Sequence, residues 1–130
     1  MKRLYFLSLI FFAVISFISN NNSFAQTLYF CEDVDADGYP VNESSVFSIP
    51  KDGGYLYTLV RLPYEVDCYS VRYEIYRNGD YDNTIYVDVE KDWTWFWKKI
   101  TFNESGTYEF YAYDCDDNLL TSGEVKIKYY

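Results

Sequence analysis

Histidine is absent from all 130 residues. Without an imidazole no Cys–His pair can form, which excludes a cysteine nucleophile activated in that way. Alanine is almost missing as well: beyond residue 25 only Ala36 and Ala112 occur, and helix-forming residues are scarce there. No apolar period of 3.6 residues runs through that part of the chain, so amphipathic helices are not expected. There is no internal repeat and no low-complexity linker. The one long apolar run, Leu4 to Ile18, is shorter than the roughly 20 residues needed to cross a bilayer.

That run has a different meaning. Lys2 and Arg3 precede it, Asn20, Asn21 and Asn22 follow it, and Ser23-Phe24-Ala25 ends the stretch with small residues at the first and third positions. This is the pattern of a secretory signal peptide over residues 1–25, cut between Ala25 and Gln26. Cys31 lies too far beyond the run, behind bulky Tyr29-Phe30, to serve as a lipid-modified cysteine. The expected organisation is a leader followed by one domain, 26–130, exported to a periplasm or the cell exterior without membrane insertion. With Lys2 and Arg3 set aside, nine basic residues stand against 20 acidic ones, a net charge of −11. Such a surface repels nucleic acid and anionic lipid. It serves solubility, or it attracts cations and basic partners.

What is abundant is aromatic. Beyond residue 25 there are 15 Tyr, 5 Phe and 3 Trp, residues that favour a pleated, half-buried surface. Strand-like runs recur between turn signals: Leu28 to Val34, Ser45 to Ile49, Tyr55 to Leu62, Tyr69 to Arg77, Thr84 to Glu90, Trp93 to Phe102, Gly106 to Asp114 and Leu119 to Lys128. Val71, Tyr73 and Ile75 oppose Arg72, Glu74 and Tyr76, and the pair Asn78-Gly79 is a strong hairpin signal. The expected fold is all-β, with seven or eight antiparallel strands in two packed sheets; a closed barrel is the alternative.

At Glu104-Ser105-Gly106-Thr107-Tyr108 the chain resembles the tyrosine corner of immunoglobulin-like sandwiches, a Gly-x-Tyr opening the penultimate strand. The residue two positions after Tyr108 is Phe110 rather than the cysteine of antibody domains. The chain is therefore more similar to the small immunoglobulin-like or fibronectin-type-III-like domains of exported bacterial proteins. The resemblance implies a fold and no activity. It implies that the Tyr108 hydroxyl bonds the backbone of the preceding corner. It also implies a disulfide partner choice. Three cysteines allow three pairings, and an immunoglobulin-like layout brings the loops of Cys68 and Cys115 to one end, leaving Cys31 unpaired. Three reduced, buried cysteines are the competing possibility.

Three features offer candidate chemistry. Asp33-Val34-Asp35-Ala36-Asp37-Gly38 opens like a calcium loop, with Asp33, Asp35 and Asp37 as alternate carboxylates, but the twelfth position is Ser44 and the flanks are strand-like. An acidic hairpin turn is the plainer reading, and no metal or other cofactor is expected. The most distinctive segment is Asp92 to Phe102. In a continuous strand Ile100, Phe102 and Lys98 share the inner face, and Trp93, Trp95 and Trp97 turn outward as a stacking platform for a glycan or a protein. A bulge at Lys98-Lys99 would instead bury the tryptophans. By the same parity Tyr76, Tyr111 and Tyr113 form an outward tyrosine group, suited to recognition or to cross-strand pairing. Asn42-Glu43-Ser44 and Asn103-Glu104-Ser105 match a glycosylation acceptor and are given no role.

The expectation is a non-catalytic exported module that presents an aromatic sheet face to a protein, in interaction or assembly. A carbohydrate-binding module built on Trp93, Trp95 and Trp97 is the alternative. A small carboxylate-dependent hydrolase is the remaining class, though nothing in the sequence fixes its acid pair.

Overall fold

Along Ser70–Arg77 the side chains of Val71, Tyr73 and Ile75 are buried, while Arg72, Glu74 and Tyr76 on the other face reach the surface. This two-residue alternation recurs through the computed structural model, which describes residues 27–130. The leader and its cut between Ala25 and Gln26 lie outside the described residues. Those described form ten strands: β1 (Thr27–Cys31), β2 (Asp33–Val34), β3 (Pro40–Val41), β4 (Val46–Ile49), β5 (Gly54–Arg61), β6 (Ser70–Arg77), β7 (Asp80–Asp88), β8 (Trp95–Phe102), β9 (Gly106–Tyr113) and β10 (Leu119–Tyr129).

They make a three-stranded sheet in the order β1-β5-β8, a five-stranded sheet in the order β4-β10-β9-β6-β7, and the small pair β2-β3. The two larger sheets face each other across one buried cluster that includes Phe30, Leu56, Val60, Phe96, Ile100 and Phe102 from one side and Val71, Tyr73, Phe110, Val125 and Ile127 from the other. Aromatic rings meet edge to face across this layer. Phe30 and Phe110 lie 5.1 Å apart, and Phe102 and Tyr108 lie 4.9 Å apart, the geometry that ring quadrupoles favour. Tyr73 brings a phenol into the same interior. Its hydroxyl lies 3.0 Å from Thr58 Oγ1, which in turn lies 3.3 Å from the Lys98 carbonyl oxygen. The buried polar atoms thus satisfy one another between the sheets.

Turn chemistry sets the register. Arg77 pairs with Asp80, so β6 and β7 are joined by Asn78-Gly79 alone. Both residues have positive φ, 51° and 89°, as the tight hairpin turn requires. Two other turns share one device. Asp35 Oδ1 accepts from the amides of Asp37 and Tyr39, and Asp114 Oδ1 accepts from those of Asp116 and Asn118.

Three expectations need correction. There are ten strands among the described residues rather than seven or eight. The strand expected over Leu28 to Val34 breaks at Glu32, whose amide leaves the β1–β5 ladder and donates to the Val41 carbonyl. Pairing is not wholly antiparallel, because β4 runs parallel to β10. The connection after β3 crosses between sheets: the Ser44 amide donates to Phe30 of β1, and one residue later the Ser45 carbonyl accepts from Lys126 of β10.

Cys68 and Cys115 form a disulfide, with Cα atoms 5.9 Å apart. It ties the segment entering β6 to the turn between β9 and β10. Cys31 is free and buried.

Candidate binding site at the Trp93–Trp97 edge

β8 pairs with β5 from Gly54↔Phe102 to Arg61↔Trp95 with no shift in register. The strand is continuous through Lys98-Lys99, and its alternation is undisturbed. Phe96, Ile100 and Phe102 are buried, and Trp95, Trp97 and Lys99 stand on the outer face. Lys98 points inward and remains half-exposed. It can do so because β8 is the edge of its sheet, which leaves the long lysine stem a route to water.

Trp97 is 49 % exposed and Trp93 43 %. Trp93 precedes β8, in a loop fixed by backbone bonds: its amide donates to the Glu90 carbonyl, and its own carbonyl accepts from Val66. Trp95 is half-buried. Its indole lies against Gly38 in the β2–β3 turn, where a Cβ would come within 2.8 Å of the ring atom Cε3 and closer still to Cδ2 and Cε2. Arg61, opposite Trp95 in the ladder, donates to the Gly38 carbonyl and stacks over the Tyr39 ring at 4.3 Å. The turn is therefore held down onto the outer face of the smaller sheet.

This cover explains two residues whose parity is misleading. Cys31 and Leu59 stand on the outer face, yet both are fully buried. They lie outside the main cluster, on the face over which the chain from 32 to 45 folds back. Burial pushes the Cys31 thiol up, with the Val41 and Asp33 amides acting in the opposite direction.

The three tryptophans come together with Asp88, at the end of β7, and Asp92 around a cleft of about 540 Å³. Tyr57 extends the aromatic face from Trp97, 5.4 Å away at an interplanar angle of 73°, and Tyr55 continues it at 6.0 Å and 86°. The rings meet edge to face and do not form one flat plane. Asp88, Asp92, Tyr55 and Tyr57 were not singled out from the sequence. The tyrosines carry a usable signal, since they share the outward parity of their strand. The two aspartates do not, because a loop and a different sheet bring them in.

The second aromatic group also assembles. Tyr76, Tyr111 and Tyr113 surround a groove of about 290 Å³ with Gly79 and Glu109. All three rings are half-buried, because they shield one another and their neighbours. Tyr76 lies 5.8 Å from Tyr111 and 5.9 Å from Tyr81, and Arg72 covers Tyr113 at 4.6 Å. Arg72 is itself paired with Glu74 and Asp117, which raise its affinity for its proton. The Tyr111 hydroxyl donates to Glu109, and that bond raises its phenol above the ordinary value.

Asp33, Asp35 and Asp37 do not converge. Asp33 Oδ1 accepts from Val34 and Asp35 Oδ1 from the turn amides. No group of three metal-ligating side chains occurs among the described residues. The Tyr108 hydroxyl donates to the Glu104 carbonyl at 2.7 Å.

No family model matches this chain, and a search of curated proteins finds no match to it.

Proposed function

We propose that this chain is an exported, non-catalytic binding module of immunoglobulin-like architecture that engages a protein through the tryptophan edge of its smaller sheet. The observation that carries the reading is the gathering of Trp93, Trp95 and Trp97 around one open cleft. Exposed tryptophan is costly to leave in water, and it concentrates where partners bind. Export is supported by the Cys68–Cys115 disulfide, a bond that persists in oxidising compartments. The architecture is supported by the facing orders β1-β5-β8 and β4-β10-β9-β6-β7 and by the Tyr108–Glu104 corner bond.

A second reading, a carbohydrate-binding module on the same tryptophans, is supported by the indoles of the cleft. The edge-to-face angles along Tyr55, Tyr57 and Trp97 disfavour a flat polysaccharide surface as its ligand.

Protein and glycan arrays probed with wild type, Trp93→Ala and Trp97→Ala test the assignment. Binding that disappears in both variants at unchanged melting temperature supports it. Binding that survives both substitutions removes this face from consideration.

A further inference from the structure

We infer that the Trp93–Trp97 cleft seats a basic side chain, arginine above all, from a peptide segment of the partner protein. The inference rests on the binding role proposed for this face and adds the chemistry of what enters it.

The chain already shows how it treats cations. Four of the nine basic side chains among the described residues sit on aromatic rings: Arg61 on Tyr39 at 4.3 Å, Arg72 on Tyr113 at 4.6 Å, Lys99 on Tyr55 at 4.1 Å and Lys91 on Tyr69 at 5.7 Å. Trp93 and Trp97, the strongest cation-attracting ring type, carry none of these cations among the described residues. Trp93, Trp95 and Trp97 line the cleft together with the acidic residues Asp88 and Asp92, and no lysine or arginine among the described residues lines it. A lining of aromatic residues and two acidic ones, with no basic residue among the described ones, matches a guanidinium, which stacks on a ring and pairs with carboxylates at once.

Charge on the whole molecule points the same way. A net charge of −11 over residues 26–130 draws basic partners in and drives a second copy of this chain away. A neutral glycan gains nothing from that field.

The test uses the full chain and two peptides, acetyl-Gly-Arg-Gly-Arg-Gly-amide and its counterpart with citrulline at both arginine positions. Citrulline keeps the shape and removes the charge. Binding is followed by the three tryptophan indole N–H signals in ¹⁵N-correlated spectra. The arginine peptide is expected to shift these signals with a saturable dependence. The citrulline peptide is expected to bind at least roughly tenfold more weakly, a difference of about one factor of ten in Kd. Asp88→Asn and Asp92→Asn, both at exposed positions, are each expected to weaken the arginine peptide severalfold, and raising salt to about 0.5 M, which cuts the Debye length to about 4 Å, is expected to do likewise.

Equal shifts with the citrulline peptide, or with cellohexaose, overturn the cationic assignment and leave the face as a binding surface. Arginine-peptide binding that leaves the indole signals unmoved, or that is unchanged in both aspartate variants, overturns the cleft as its seat. Failure of the arginine peptide to bind overturns the inference outright. A response to spermine equal to that of the peptide assigns the site to free amines and overturns the peptide partner.

Discussion

The indole of Trp95 rests on Gly38, a residue 57 positions away in sequence by its numbering, at a φ of +80°. The contact holds the β2–β3 turn against the smaller sheet and fixes one wall of the tryptophan cleft.

Gly38→Ala therefore strikes twice. The added methyl collides with the indole, and the backbone conformation disfavours any side chain. The expected loss is about 1–3 kcal/mol in urea unfolding. The emission of the folded protein should also shift, because Trp95 must move. A variant within about 0.5 kcal/mol of wild type and with an unchanged spectrum would show that the turn does not bear on the indole.

Acrylamide is neutral, so the acidic surface does not bias its access to tryptophan. Strong quenching with red-shifted emission is expected from wild type. Trp97→Phe and Trp93→Phe should each remove a readily quenched component, and Trp95→Phe should remove a more protected one, in line with the half-burial of Trp95. Weak quenching of blue-shifted emission would place the indoles in the interior and end the case for the cleft.

Cys68 and Cys115 are separated by 47 positions. A loop of that length, closed in the unfolded chain, corresponds to about 4 kcal/mol in the chain-entropy model. The double variant Cys68→Ser/Cys115→Ser should lose about 2–4 kcal/mol in denaturant titrations. A loss below about 1 kcal/mol would mean that the bridge scarcely restricts the unfolded chain.

Alkali should unfold this protein through its phenols. Burial raises Tyr73 and Tyr108, the bond to Glu109 raises Tyr111, and burial raises the Cys31 thiol. Each group holds its proton in the folded state after the unfolded chain has released it. Their contribution is complete below the unfolded values, about 8.5 for cysteine and about 10 for tyrosine, and is lost as pH climbs through the folded ones. Stability should be flat around neutrality, soften above about pH 8.5 and fall more steeply above about pH 10. For buried Tyr73 the slope approaches 1.4 kcal/mol per pH unit. Urea midpoints between pH 7 and 11 check this, and Tyr73→Phe should flatten the upper part of the curve. Stability that rises with alkali would contradict the burial of these groups.

Much of the scaffold was legible because two local signals are strong. Alternation set Val71, Tyr73 and Ile75 on one face, the buried one, and Asn78-Gly79 marked its hairpin. Neither signal carries register between distant strands. Alternation alone therefore shows Tyr57 facing outward but not that it meets Trp97, which the pairing of β5 with β8 decides. Parity also fails where a third layer covers a sheet, which is why Cys31 and Leu59 are buried on the outer side. The parallel β4–β10 pair was illegible for a related reason. Val46-Phe47-Ser48-Ile49 looks the same whichever neighbour it meets, and only the crossing at Ser44 and Ser45 sends it to β10. Within the cleft the tryptophans announced themselves by composition, whereas Asp88 and Asp92 look like any other solvated acids until the chain is folded.

Lys98 gives the open side of the smaller sheet a safeguard against unwanted growth. β8 is long, rich in aromatic residues and, among the described residues, unpaired along one edge, the profile of a strand on which fibrils nucleate. A foreign strand added there would close off the route by which the inward-pointing ammonium reaches water, and would have to accept a charge between its layers. The inward lysine therefore disfavours the addition of a further strand along this edge.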